Sequence, residues 1–367
     1  DALDKEDLVG VMESLTPGER DAIMGSTQRL AGELRRIGVA ADGFDLAHLA
    51  GVNFQVTNLK LDSTAVADNL AEVRIVSGTL TTTVSLDSLP LGPALRDLAN
   101  QAGADATAKA AEPQNEDLSK MDAPLMVVRK NGQWGLSLGY TLAEAARRDA
   151  GAARPDYAHP AVTPQGASSP TAAVEGLVGA IDNGDVRGMI AHLEPEEMAA
   201  LYDYSSLFLP SADANAELKA FAAATTISDV NLSVEGSGDT RLVKIDGFTM
   251  NYDDDQVSAE VRLADGCVHV VQIQTDGSQH DAYDSCASGE ANADALGADL
   301  GGFAGLQGLF DPSSLTKGLG ITVHQVDGKW YVSPTRTVLE TLVAVVGTLK
   351  DDAVGSLVQM FAGIGNS

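Results

Sequence analysis

The spacing of apolar residues along the chain switches between two periods in a regular order. Stretches such as "VNLSVEG" (Val230–Gly236), "RLVKIDGFTM" (Arg241–Met250) and "QVSAEVRLA" (Gln256–Ala264) alternate apolar and polar positions, the period of half-buried antiparallel strands. Upstream of them the spacing is helical. "SPTAAVEGLVGAI" (Ser169–Ile181), "DVRGMIAHL" (Asp185–Leu193) with Asp185 as N-cap, and "EPEEMAALYDYSSLFL" (Glu194–Leu209) with Pro195 in its first turn predict three helices. Farther on, Asn131-Gly132 and Asp327-Gly328 predict tight hairpin turns, each leading through a tryptophan strand into a closing helix.

This order occurs twice, and residues recur with it. At an offset of 196, Gly132, Trp134, Ser137, Thr141 and Glu144 face Gly328, Trp330, Ser333, Thr337 and Glu340, a set that includes both tryptophans of the chain. At an offset of 178, Asp4, Asp7, Gly10, Leu15 and Pro17 face Asp182, Asp185, Gly188, Leu193 and Pro195. Between these blocks Asn58–Asp62 faces Asn231–Glu235, Val73–Ile75 faces Val243–Ile245, and Gly78 faces Gly247. Conserved order over so long a span implies duplication of a whole domain. The expected organisation is one copy over 1–148, a proline-rich linker over 149–169, a second copy over 170–349 and a tail over 350–367 whose amphipathic helix packs back on a domain or serves as a partner helix. The offset rises from about 170 to 196 before the second tryptophan, so the second copy is expected to gain about 26 residues near 265–318. Helix 169–181 has only Asp1–Leu3 opposite it in the first copy, which suggests a longer native polypeptide with a leader or membrane anchor upstream.

Composition narrows the classes. With 24 basic and 52 acidic residues the formal charge is -28, a field that opposes nucleic acids and anionic bilayer surfaces. No run approaches the ~20 apolar residues that cross a membrane. Cys267 and Cys286 are the only cysteines, and a strand followed by a turn between them is compatible with a disulfide, which would stabilise the fold by about 3 kcal/mol and imply an oxidising compartment. Two sulfurs without a second ligand pair do not make a zinc site.

A helical cluster followed by a bent antiparallel sheet resembles the NTF2-like (cystatin-like) α+β fold. More narrowly, the "DGKWYVSPTRT" ending (Asp327–Thr337) resembles the extracytoplasmic regions of actinobacterial membrane-anchored proteins and lipoproteins with NTF2-like domains. The first copy departs from that ending with Gly135 where the second has Tyr331. The resemblance implies two tandem NTF2-like domains, each with helices packed on a curved antiparallel sheet, and an extracytoplasmic location; it implies no activity.

Candidate chemistry is sparse. The recurring residues suit structural work: Trp134 and Trp330 are expected to plug the mouth between sheet and closing helix with their indole N–H groups hydrogen-bonded, Gly132 and Gly328 to make turns, Ser137, Ser333, Thr141 and Thr337 to serve as strand ends and helix caps. None of the six histidines recurs; His324 faces Val128. NTF2-like ketosteroid isomerases and polyketide cyclases keep an Asp or His inside the sheet cone, a role for which His269 and His324, near Asp246 or Tyr252, are the candidates here. The acidic stretches "NYDDDQ" and "HDAYD" lack calcium-loop spacing, and no nucleotide-binding, serine-hydrolase or zinc-protease motif occurs. No catalytic, cofactor-binding or metal residue is therefore expected. The leading expectation is a non-catalytic extracytoplasmic protein that binds a partner protein or cell-envelope component, touching a membrane only through an upstream anchor. Its rivals are a carrier with an apolar, lipid-like molecule in the sheet cone and an isomerase- or cyclase-type enzyme.

Overall fold

The computed structural model describes residues 7–101, 111–121, 124–209, 212–253, 258–273, 279–284, 320–351 and 354–355. The chain is mixed α+β, with curled antiparallel sheets and helices. It divides into two compact units, the first of Asp1–Tyr157 with Ala199–Leu201 and Leu349–Ser367, the second of Ala158–Met198 and Tyr202–Thr348.

The first unit opens with α1 (Leu8–Glu13) and α2 (Pro17–Arg36). Asp7 caps α1 by accepting from the Gly10 amide at 2.8 Å, and Pro17 at the start of α2 supplies a fixed φ where no backbone donor is needed. Two long strands follow, β1 (Val52–Ala67) and β2 (Leu70–Val84), then α3 (Pro93–Gln101), the short β3 (Gln114–Asp117), the hairpin β4 (Leu125–Lys130) and β5 (Gln133–Ser137), and α4 (Leu138–Asp149). β2 is the spine of this sheet. It pairs with β1 along one side; along the other its first residues take β4 and its later residues take β3.

The second unit repeats the plan. Its helices are α5 (Pro170–Asp182), α6 (Val186–Ala191), the end of α7 (Ala199–Asp203, whose first three residues are grouped with the first unit), α8 (Ser205–Phe208) and α9 (Ala212–Ala224). Then come β6 (Thr225–Glu235), β7 (Thr240–Asp253), β8 (Ser258–Ala264), β9 (Cys267–Ile273), β10 (Gln279–Asp284), β11 (Gly320–Val326), β12 (Lys329–Val332) and α10 (Pro334–Gly347). Here β7 is the spine, with β6 on one side and β11 then β8 on the other. Asn131-Gly132, Asp265-Gly266 and Asp327-Gly328 all take positive φ at both residues, the mirror-image turn that matches the twist of an antiparallel pair.

The strand registers refine the expected duplication. Thr79 pairs with Asp117, and its counterpart Thr249 pairs with Arg262, so the offset drops from 170 (249 minus 79) to 145 (262 minus 117) before it reaches 196. The expected gain of 26 is thus the balance of two additions: 25 residues between β2 and β3 of the first unit, and 51 between β8 and β11 of the second. The first brings Leu91 into a bridge with Ala40; the second begins with β9 and β10, which widen the second sheet. A second refinement concerns the match of Asn58 with Asn231. Both long strands bulge, after Thr57 and after Ser228, and the left-handed residue of each bulge is Asn58 in one and Asp229 in the other. Asn and Asp both tolerate that conformation, so residue identity placed the alignment two positions out. By the same registers the counterpart of Gly247 is Ser77, not Gly78.

One expected helix is interrupted. Where the first unit has the continuous α2, the second has a turn at Pro195–Met198 and then two short helices. The Glu194 carboxylate accepts the Glu197 amide there, a local bond that competes with helical pairing, and Tyr204 between α7 and α8 is fully buried.

A hydrophobic core lies on one face of the second sheet, where Val243, Val323, Val332 and Trp330 meet Ala173 and Val174 of α5. Trp330 therefore packs under the opening helix rather than the closing one, while α10 lies on β11. Cys267 begins β9, and Asp284 of β10 stands opposite His269; Cys286 lies outside the described residues, as does most of the expected tail helix.

Candidate functional site

The same buried clasp occurs in both units. In the first, Glu19 Oε1 accepts from Ser137 Oγ and from the Gly139 amide, each at 2.7 Å, and Oε2 accepts from the Leu138 amide at 3.1 Å and from Thr16 Oγ1 at 2.9 Å. In the second, Glu197 accepts from Ser333 Oγ, from the Thr335 amide at 2.6 Å and from Arg336 Nη1 at 3.1 Å. A carboxylate at the first turn of a helix satisfies orphan N–H groups and complements the helix dipole. Each closing helix is tied in this way to the helical segment that opens its unit. Thr141 and Thr337 complete the arrangement: each hydroxyl donates to the serine carbonyl four residues back and accepts the amide of the neighbouring strand, Met126 or Thr322. Ser137 accepts the Tyr140 amide as expected of a cap, whereas the Ser333 side chain makes no such cap bond and donates to the glutamate.

Glu19 and Glu197 were not among the expected site residues, although both stand two places after the recurring proline. A buried carboxylate matched by a serine in each copy is the signal that could have found them. All their oxygens are engaged, so they are poor candidates for proton transfer.

A second cluster belongs to the second unit alone. His324 Nδ1 lies 3.3 Å from Oε1 of the buried Glu194, and Tyr331 is the cross-strand partner of His324. The Tyr202 hydroxyl donates to the Leu193 and Ala191 carbonyls. Burial pushes the Tyr202 hydroxyl far above its ordinary value, with Tyr331 and Glu194 adding to the effect; burial also raises Tyr331. Both phenols stay neutral across physiological pH. The first unit carries Val128, Thr16, Met24 and Gly135 at the corresponding positions. His324 thus meets Glu194 rather than Asp246 or Tyr252, and His269 sits on β9 opposite Arg262.

The first unit has a polar cluster of its own at the end of α4. Glu144 takes Arg147 and Arg148, and Glu72 takes Arg74, Arg148 and Arg154, all within 2.7–2.8 Å. Burial alone would raise the Glu72 carboxyl, but hydrogen bonds from Arg74 and Arg148 outweigh it and hold the group below the ordinary carboxylate value. Leu242 stands where the second unit would need Glu72, so the cluster does not recur.

The two tryptophans differ most. Trp330 is 7% exposed and Trp134 49%. A guanidinium stands over each ring, Arg241 at 5.8 Å and Arg129 at 5.4 Å, in place of the expected indole hydrogen bonds as the visible polar contact. Around Trp134 the counterparts of the second unit's core are also open: Leu61 is 56% exposed, and Val73, Val127 and Leu136 are only half-buried, whereas Val243 and Val323 are fully buried. Strand pairing puts Val127 beside Leu136 and Arg129 beside Trp134, and alternation brings Leu61 and Val73 to the same side, so these residues form one continuous apolar face.

One cavity among the described residues, about 390 Å³, is an open polar recess lined by residues such as Asn183, Asp185, Arg187 and Lys219; among the same residues no three His, Cys, Asp or Glu side chains gather as metal ligands, and no helix is long and apolar enough to cross a membrane. Comparisons with protein-family models, curated proteins and solved structures returned no match to this chain.

Proposed function

We propose that this chain is a non-catalytic binding protein built from two NTF2-like copies, acting outside the cytoplasm on a partner protein or an envelope component. The open apolar face of the first sheet is the observation that carries the reading, because an apolar patch of this kind on a folded unit marks an interaction surface. The recurring buried carboxylates agree with it: their oxygens hold helices in place and leave none for substrate. The extracytoplasmic assignment rests on the family resemblance and on the expected pairing of Cys267 with Cys286, which thiol labelling with and without reductant tests directly.

A photo-crosslinking residue at position 61, placed in the protein within its native cell, is expected to give protein adducts. Absence of adducts sinks the reading. A stoichiometric apolar molecule released by organic extraction of the natively purified protein would replace it with the carrier. The enzymatic rival has one observation in its favour, the contact between His324 and Glu194. It requires that Glu194→Gln abolish an activity while leaving the fold intact.

A further inference from the structure

We infer that the arginine cluster of the first unit is a binding site for a phosphate monoester, held by Arg74, Arg148 and Arg154. This goes beyond the partner-binding reading and does not depend on it. Every side chain of the cluster belongs to the first unit, and Glu72 and Arg74 alternate with Val73 along β2, so they lie on the other face of the sheet from Trp134. The Glu72 carboxylate, 5% exposed, gathers three guanidiniums from three parts of the chain: Arg74 of β2, Arg148 of α4 and Arg154 beyond that helix. Each contact is 2.7 or 2.8 Å long, so three cations stand around one anion. Glu144 takes Arg147 and shares Arg148. Four guanidiniums and two carboxylates leave an excess of two positive charges, in a chain whose formal charge is -28. One guanidinium per carboxylate would suffice to tie α4 and the segment after it to the sheet. The additional cations repel one another and gain from a second anion. Asp62, which stands across from Arg74 on β1, is exposed and makes no ion pair with it.

The remaining donors indicate the ligand class. Glu72 engages Arg74 Nε, Arg148 Nη2 and Arg154 Nη2, and Glu144 takes Arg148 Nε. Among the described residues this leaves both terminal nitrogens of Arg74, Nη1 of Arg148, and Nε and Nη1 of Arg154 without a hydrogen bond. Arg74 is 59% exposed and Arg154 40%, so these side chains reach solvent while the buried carboxylate holds them in place. Guanidinium forks match the oxygens of carboxylate and phosphate alike. A phosphate monoester fits the cluster better, because it carries about -1.5 to -2 charges at pH 7 against the excess of two and offers three terminal oxygens to three guanidiniums. The acidic remainder of the chain favours a single phosphate over a polyanion, whose further charges would extend into a repelling field.

The test titrates the full chain with inorganic phosphate by isothermal titration calorimetry, at constant ionic strength set with chloride. One saturable site per chain is expected. Arg74→Gln and Arg154→Ala should each weaken it by about tenfold, whereas Arg96→Ala, which removes the same charge from an exposed place on α3, should leave it unchanged. In the unaltered chain, phosphate should also slow phenylglyoxal labelling of Arg74 and Arg154 but not of Arg96, as mapped by mass spectrometry. Absence of saturable binding overturns the inference. So does binding that Arg96→Ala weakens equally, or that leaves Arg74 and Arg154 open to the reagent. Glycerol 3-phosphate and phosphatidylcholine vesicles containing phosphatidic acid then separate the sources of the group. Displacement of phosphate by the soluble ester supports a free phosphorylated molecule, and preferential capture by the vesicles supports a lipid headgroup. Displacement by neither overturns the assignment to a monoester.

Discussion

Two tryptophans at equivalent positions of equivalent strands have opposite surroundings: Trp330 lies under a helix within an apolar core, and Trp134 stands half in solvent. The strands beneath them, the turns beside them and the glutamate clasps below the closing helices are alike. A fold thus fixes where a residue sits, while the element laid over it decides whether the position belongs to a core or a surface. The polar clusters teach the same lesson in reverse. The second unit brings a half-buried histidine to a buried glutamate and two buried tyrosines where the first has Val, Thr, Met and Gly, and the first assembles two glutamates with four arginines where the second has a leucine at the central place.

The sharpest way to break the comparison is to truncate both tryptophans. Trp330→Ala should cost the second unit about 3–5 kcal/mol, since it leaves a cavity in a packed core, while Trp134→Ala should cost the first under about 1 kcal/mol. Urea unfolding monitored by circular dichroism checks both, and equal costs would mean that the two faces are covered alike. Next come the clasps. Glu197→Ala strands the buried Arg336 guanidinium and the Thr335 amide and should destabilise by about 3–5 kcal/mol; Glu19→Ala, which leaves amides and hydroxyls but no guanidinium, should cost about 1–3 kcal/mol. A reversed order would remove Arg336 from the account.

Acid separates the units further. The folded-state value of Glu72 lies below its ordinary 4.5, so its contribution is fully present above that pH and is lost as pH falls through the folded value. The first unit should therefore lose stability on acidification below about pH 4.5, and Glu72→Gln should flatten that part of the profile, read by Trp134 emission in a Trp330→Phe background so that the signal comes from the first unit alone. The smallest effect concerns Thr322, whose buried hydroxyl finds no hydrogen-bond partner among the described residues. Met126 holds that place in the first unit, and Thr322→Val should be neutral or stabilising by up to about 1 kcal/mol in thermal unfolding.

Much of this was legible in the chain. Alternation marked β6, β7 and β8, two Asx-Gly pairs marked hairpins, Asp185 marked a cap, and the recurring Ser137, Ser333, Thr141 and Thr337 marked the helix junctions. Pairing in space was harder to read. The two additions on opposite sides of β3 and β8 nearly cancel in sequence offset, and only the partners of Thr79 and Thr249 separate them. The clasp glutamates were hidden for a related reason: Glu19 lies 118 residues from Ser137, and no local pattern spans that distance.

The sequence by itself determined the periodic elements, their twofold order and the chemistry of their turns, because these depend on neighbours a few residues apart. Tertiary structure alone decided which tryptophan is covered, which histidine meets a glutamate and which carboxylates hold helices. Those outcomes depend on segments brought together from afar, where burial, and not spacing along the chain, sets what each side chain can do.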